Sequence, residues 1–148
     1  MAGWGIVEAS GSSLRLIDCG VFSASPKLPL SARLEQIFAA YEQLLLMHRP
    51  AAAALEETFA GVNPKSAIAM GQGRGVALLA LARADVPVLE LSPAEIKKAV
   101  TGNGAAGKDL VARMVCARLN LKETPRPADA TDALAAAIAL AHRVGTSF

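Results

Sequence analysis

Ala51-Ala-Ala-Ala-Leu-Glu56-Glu57-Thr-Phe59 is a short apolar run that stops at two adjacent carboxylates. Pro50 precedes it and the helix signal Asn63-Pro64 follows within a few residues. A run this short between breakers reads as a buried strand in a sheet covered by helices. One of the two glutamates, Glu56 or Glu57, then stands at the carboxyl end of that strand, where open α/β sheets place ligands and chemistry. The ordinary alternative is that both are solvated where the strand leaves the core, as most glutamates are.

Upstream, Gly3 to Val7 and Ser13 to Asp18 alternate as strands around the turn Ala9-Ser-Gly-Ser12, and Val21 to Ser23 can extend the meander. The proline-marked loop from Ser25 to Pro29 leads to a helix whose Leu34, Ile37, Phe38, Tyr41, Leu44 and Leu45 form one apolar face. Downstream, Asn63-Pro64 supplies a capping side chain and a proline at the first helical position, and that helix runs to about Ala84. It contains Gly71, Gly73 and Gly75, each costing roughly 0.5 to 1 kcal/mol relative to alanine. Close backbone packing is the expected compensation, with approach of a ligand as the alternative.

Val86 to Leu91 is a second short strand, and Ser92-Pro-Ala-Glu95 is a capping box that opens the helix holding Lys97 and Lys98. A glycine-rich loop from Thr101 to Gly107 precedes a helix starting near Lys108, and the charged, proline-broken segment Lys122 to Pro127 precedes a last helix from about Ala128 to Val144. Strands and helices in this order give a mixed α/β fold, and 148 residues make one domain, residues 1–148.

Composition excludes several classes. No apolar run approaches the roughly 18 to 20 residues of a membrane span, and no secretory signal opens the chain, so a cytoplasmic location is expected and no membrane partner. Cys19 and Cys116 lie far apart and only His48 and His142 offer imidazole, which argues against zinc or a disulfide framework. A metal here would be held by carboxylates, which suits magnesium or manganese. The net charge is only +2, but Lys97, Lys98, Lys108, Arg113, Arg118, Lys122 and Arg126 face just Asp109 and Glu123 between positions 97 and 126. That imbalance points to a polyanionic partner.

Gly102-Asn-Gly-Ala-Ala-Gly107-Lys108-Asp109 nearly fits a phosphate-binding loop, but aspartate stands where a hydroxyl should hold magnesium, and the loop follows a helix rather than a strand. A nucleotide site there is disfavoured. Pro127-Ala-Asp129-Ala-Thr-Asp132 is more informative, because residues three apart share a helix face. Acids in a first turn are favoured by the helix dipole alone. The remainder of that helix is almost wholly apolar, however, so its two carboxylates emerge at the edge of the core, where a divalent cation relieves their repulsion. Facing Glu56 across a basic surface, they would assemble the parts of metal-dependent phosphodiester hydrolysis.

Gly3-Trp-Gly-Ile-Val-Glu8, Leu55-Glu56-Glu57-Thr58-Phe59, Gly71-Gln-Gly-Arg-Gly-Val76, Val100-Thr-Gly-Asn-Gly104 with Lys108, and Ala128-Asp129-Ala-Thr-Asp132-Ala-Leu134 together resemble the RuvC Holliday junction resolvases, in the family's order and over essentially the whole chain. The resemblance implies an RNase H-like mixed sheet flanked by helices, and a homodimeric, magnesium-dependent (alternatively manganese-dependent) endonuclease. Such an enzyme cuts four-way DNA junctions symmetrically in recombination and repair, beside the branch-migration proteins RuvA and RuvB. By motif match Glu56, Asp129 and Asp132 are the catalytic metal ligands. Phe59, Arg74, Lys97, Lys98 and Lys108 fall at the DNA, Phe59 as an aromatic near the junction centre. The family opens with a strand ending in Asp-Pro-Gly, whose aspartate is a further ligand. The sole aspartate before Glu56 is Asp18, which matches no such motif. The first strand and that ligand are therefore expected to lie outside the sequence as read, in codons upstream of Met1. The alternative is a catalytically silent junction-binding module.

Overall fold

The computed structural model describes residues 1–57, 61 and 63–145. Strands β1 (Ala2–Ser10) and β2 (Ser13–Phe22) form an antiparallel hairpin. Its two-residue turn needs a positive φ at the first position, which Gly11 supplies at 59°. A bulge between Ile6 and Val7 shifts the register, so Ala2 pairs with Phe22 at one end and Ser10 with Ser13 at the other. Helix α1 (Leu30–His48) ends on Arg49, a left-handed residue whose N–H donates to the Leu45 carbonyl. Strand β3 (Ala53–Glu56), helix α2 (Pro64–Arg83) and strand β4 (Val88–Leu91) form a parallel β-α-β unit, with Ala53 opposite Val88 and Glu56 opposite Leu91. Three helices complete the chain: α3 (Pro93–Thr101), α4 (Lys108–Leu119) and α5 (Ala128–Gly145). No described helix is long and apolar enough to cross a membrane.

The helix starts lie where the sequence marks them. Asn63 accepts the Ser66 N–H at 2.9 Å to cap α2, and both halves of the Ser92–Glu95 capping box are made at α3.

Burial defines three layers. On one side α3, α4 and α5 enclose a core whose fully buried side chains include Leu91, Val100, Val115, Leu134 and Ile138, and Ala54 and Leu89 pack against it. On the other side Leu45, Ala80, Leu81 and Val86 form a second core, joined by Phe38, Tyr41, Ala53, Leu55 and Val88. Residues of β3 therefore alternate, with Ala53 and Leu55 toward α1 and α2, and Ala54 toward α5. The hairpin lies between the same two helix layers. Its Phe22 stacks on Trp4 at 5.5 Å and meets the edge of Tyr41 of α1 at 4.9 Å.

β1 pairs only with β2 and β3 only with β4, so that among the described residues no strand joins β1 to β3, which is the gap the sequence reading expects beside β3. The apolar residues of β3 accordingly stay half-exposed. The glycines of α2, against the sequence reading, do not mark close internal packing, since a Cβ on Gly71, Gly73 or Gly75 would meet no described atom within 4 Å. Close approach occurs instead at β1. A Cβ on Gly3 would lie 2.0 Å from the Asp129 carbonyl oxygen, and one on Gly5 2.6 Å from Leu134 Cδ2. Glycine at alternate positions of a strand clears one face, and α5 occupies it.

Gly3→Ala should therefore destabilise the fold by about 1–3 kcal/mol in urea unfolding, because the clash is with backbone and no rotamer relieves it. Gly71→Ala, facing open space inside a helix, should be neutral or stabilising. Equal effects of the two substitutions would contradict this packing.

Candidate active site

Alternation along β3 puts Glu56 on the same face as Ala54, toward α5. It is half-buried, whereas Glu57, just past the strand, is exposed. The residue pattern alone left two candidate carboxylates at this strand end and the motif match chose Glu56; strand parity turns that one toward α5. Burial is the first cause of the rise of the Glu56 carboxyl above the ordinary glutamate range, and the negative charge of Asp132 is the second. Lys97 and Lys108 act in the opposite direction. The four side chains come from four elements, β3, α5, α3 and α4, and share one electrostatic neighbourhood.

The first turn of α5 is fixed from two sides. The buried Thr131 donates its hydroxyl to the Pro125 carbonyl at 2.8 Å, and the Ala130 N–H reaches Pro127 O at 3.0 Å. Asp129 lies against Gly3 of β1, while Asp132, one turn on, comes within electrostatic reach of Glu56. Both aspartates are exposed. Among the described residues no three His, Cys, Asp or Glu side chains gather tightly enough to hold a metal ion between them. The structure thus joins Glu56 to Asp132 and sets Asp129 a turn away, over the glycine face of β1. The donor chemistry still fits a hard cation, because all three groups are carboxylates and magnesium is commonly held by one or two of these plus water.

Among the basic candidates, Lys97 is half-buried at the site, Lys108 opens α4 beside it, and Lys98 is exposed on α3. The loop between α3 and α4 is braced by the Thr101 hydroxyl, which donates to Lys97 O at 2.8 Å, and by Asn103 Oδ1, which accepts the Ala105 N–H at 2.9 Å. Phe59 lies outside the described residues. Arg74, expected at the DNA, is turned inward instead. Its guanidinium donates to the Glu56 carbonyl at 2.7 Å and pairs with Glu90 at 2.9 Å. Sequence reasoning missed this bond, and also the anchoring of Thr131. The only sequence signal for Thr131 was a threonine placed between two acids in an otherwise apolar helix.

Known proteins share this architecture. The class is an RNase H-like nuclease: the fold superposes on the Thermus thermophilus RuvC structure with a TM-score of 0.90 at 37% identity, over 98% of this chain and 89% of that one. T. thermophilus RuvC in complex with Holliday junction substrate gives 0.92 at 36% identity, over 98% and 88%. The profile for the crossover junction endodeoxyribonuclease RuvC matches residues 1–142. RuvC from Roseiflexus sp. strain RS-1 is 46% identical over 92% of this chain and 81% of its own length, and RuvC from Chloroflexus aggregans is 44% identical over 97% and 88%. The chain belongs to the RuvC family of crossover junction endodeoxyribonucleases.

The raised Glu56 carboxyl has a thermal consequence. A carboxyl that titrates higher when folded favours the fold while protonated, and that stability is lost as pH rises through the folded value. In chelator, Glu56→Gln should raise the melting temperature at about pH 7 and leave it unchanged well below the ordinary glutamate value of about 4.3. The opposite pH trend in scanning calorimetry would contradict the placement of Glu56 beside Asp132.

Proposed function

We propose that this chain cuts four-way DNA junctions by divalent-metal-dependent phosphodiester hydrolysis, with magnesium as the working ion and manganese as its substitute. The observation that carries this reading is the convergence of Glu56 and Asp132 with Lys97 and Lys108, in a chain of the RuvC family whose T. thermophilus relative is solved with a Holliday junction.

Glu56 and Asp132 would hold the ion, with Asp129 closing on it from the first turn of α5. A divalent cation so held supplies Lewis acidity at the phosphoryl oxygens and a more acidic water. Everything else is the work of the chain. Burial of Glu56 and its repulsion by Asp132 make an empty carboxylate pair unfavourable, which favours a cation over vacancy. Lys97 and Lys108 balance that negative edge and offer ammonium groups to the phosphates on either side of the cut, and exposed Lys98 extends the basic track. Phe59 supplies an aromatic face for an unstacked base at the branch point.

A four-way junction presents equivalent strands related by a two-fold axis, so symmetric cutting calls for two copies of the site, and a two-fold homodimer provides them. The expected setting is the cytoplasm, in recombination and repair, with RuvA and RuvB as the branch-migration partners. A second reading, a module that binds junctions without cutting them, is favoured by one observation: no three carboxylates gather among the described residues.

End-labelled four-way junctions separate the two readings. Cleavage in magnesium, abolished by Glu56→Gln and by Asp132→Asn with binding retained, is the expected result. Unchanged cleavage in both variants would remove the assignment, and salt-dependent binding with no cleavage by the parent chain would establish the second reading. Lys108→Ala should weaken binding to junctions of any sequence and reduce the slope of log K against log salt by roughly 1. An unchanged slope would take Lys108 off the phosphates.

A further inference from the structure

Helix α2 carries a guanidinium that is only 15% exposed and that joins three elements. Arg74 Nη1 donates to the carbonyl oxygen of Glu56 at 2.7 Å, and Nη2 lies 2.9 Å from Glu90 Oε1. The two partners belong to neighbouring strands, since Glu56 is the last residue of β3 and Glu90 stands on β4 opposite Leu55. Parity puts Glu90 on the same face as Val88, toward α1 and α2, and so within reach of Arg74. Just beyond, the Glu57 N–H donates to Leu91 O at 2.8 Å, the last bond before the chain leaves the sheet.

The residue held in this way is the one whose side chain leaves the opposite face toward α5. A strand end is normally free to fray, because its last peptide has neighbours on one side only. Here a helix on the far side of the sheet grips that peptide. A planar fork bonds a carbonyl and a carboxylate together in one fixed geometry, which a flexible ammonium cannot do.

We infer that Arg74 is a positioning residue for Glu56: by fixing the terminal peptide of β3 from the α2 side, it sets the direction in which the Glu56 side chain departs toward Asp132 and the two lysines. This rests on Glu56 being the site carboxylate. The guanidinium acts through the backbone and not on the carboxylate, whose charged neighbours are Asp132, Lys97 and Lys108.

The test is amide hydrogen exchange on the full chain, run beside single-turnover junction cleavage. In Arg74→Gln the Glu57 amide should exchange on the order of ten- to a hundredfold faster, the factor set by loss of a charge-assisted hydrogen bond, while the α5 amides of Leu134 and Ile138 keep their protection. Arg74→Lys, which keeps the charge without the fork, should behave like Arg74→Gln. Glu90→Gln, which leaves the bond to Glu56 in place, should show a smaller effect and serves as the reporter if Arg74→Gln does not fold. The cleavage rate should fall with the Glu57 protection while junction affinity stays within about twofold, as expected of a group that touches no DNA. Unaltered Glu57 exchange overturns the inference. So does loss of protection spread equally over α5, which would make Arg74 general scaffold. A tenfold or larger loss of junction affinity at an unchanged cleavage rate would return Arg74 to the DNA interface. If the parent chain does not cleave, it is the proposed function that fails, and the exchange data still decide the role of Arg74.

Discussion

Everything in this chain is arranged around how closely α5 can approach β1. The helix lies so near that the positions facing it, Gly3 and Gly5, have no room for a Cβ. The same helix buries Ala130, Thr131, Leu134, Ala135, Ile138 and Ala139, and in doing so it backs the hairpin and packs against α3, α4 and β3. Its first turn is thereby held by backbone contact, by the Thr131 hydroxyl and by the Pro127 carbonyl. The aspartates ride on that turn. A more distant α5, as any larger residue at Gly3 would require, would carry Asp129 and Asp132 away from β3.

The opposing wall is set by a different rule. β3 is only four residues long and half-buried on both faces, so its side chains alternate between two cores and the carboxylate of Glu56 has one direction available. Nearness to Asp132 is then unfavourable for two negative charges in partly desolvated surroundings. The two lysines lessen that repulsion, and a cation would relieve it further. Structural economy and function pull against each other at this edge, as is usual where a fold carries chemistry. The cost is borne by groups that face away from the site: Arg74 behind Glu56 and Thr131 behind the aspartates.

Much of this was legible in the sequence because its signals are local. Asn63-Pro64 and Ser92-Pro-Ala-Glu95 state their helix starts through side-chain caps, and periodicity marks α1 and the alternating strands. The motif match to the RuvC family named Glu56, Asp129 and Asp132 together, with Lys97, Lys98 and Lys108 as their basic neighbours. What depends on distant partners was not legible. The glycines of α2 looked like packing contacts, yet they face open space. The glycines that do permit packing, Gly3 and Gly5, looked like ordinary strand residues, because their partner is more than a hundred positions away in sequence. Three-residue spacing put Asp129 and Asp132 on one helix face, but it is Asp132 that comes within electrostatic reach of Glu56, while Asp129 lies against Gly3 of β1. Arg74 illustrates the same limit, for a basic residue in a glycine-rich motif reads as a phosphate contact until its bonds to the Glu56 carbonyl and to Glu90 are seen.

On the proposed reading Glu56 and Asp132, brought together from β3 and α5, form one cation-binding edge. Manganese-induced relaxation of backbone amide signals tests it most directly, because paramagnetic broadening falls off steeply with distance from the ion. Substoichiometric manganese should broaden the amides around Glu56 and Asp132 first, together with those of Lys97 and Lys108, and Glu56→Gln should abolish the effect. Broadening centred elsewhere, or none at these amides, would contradict the account.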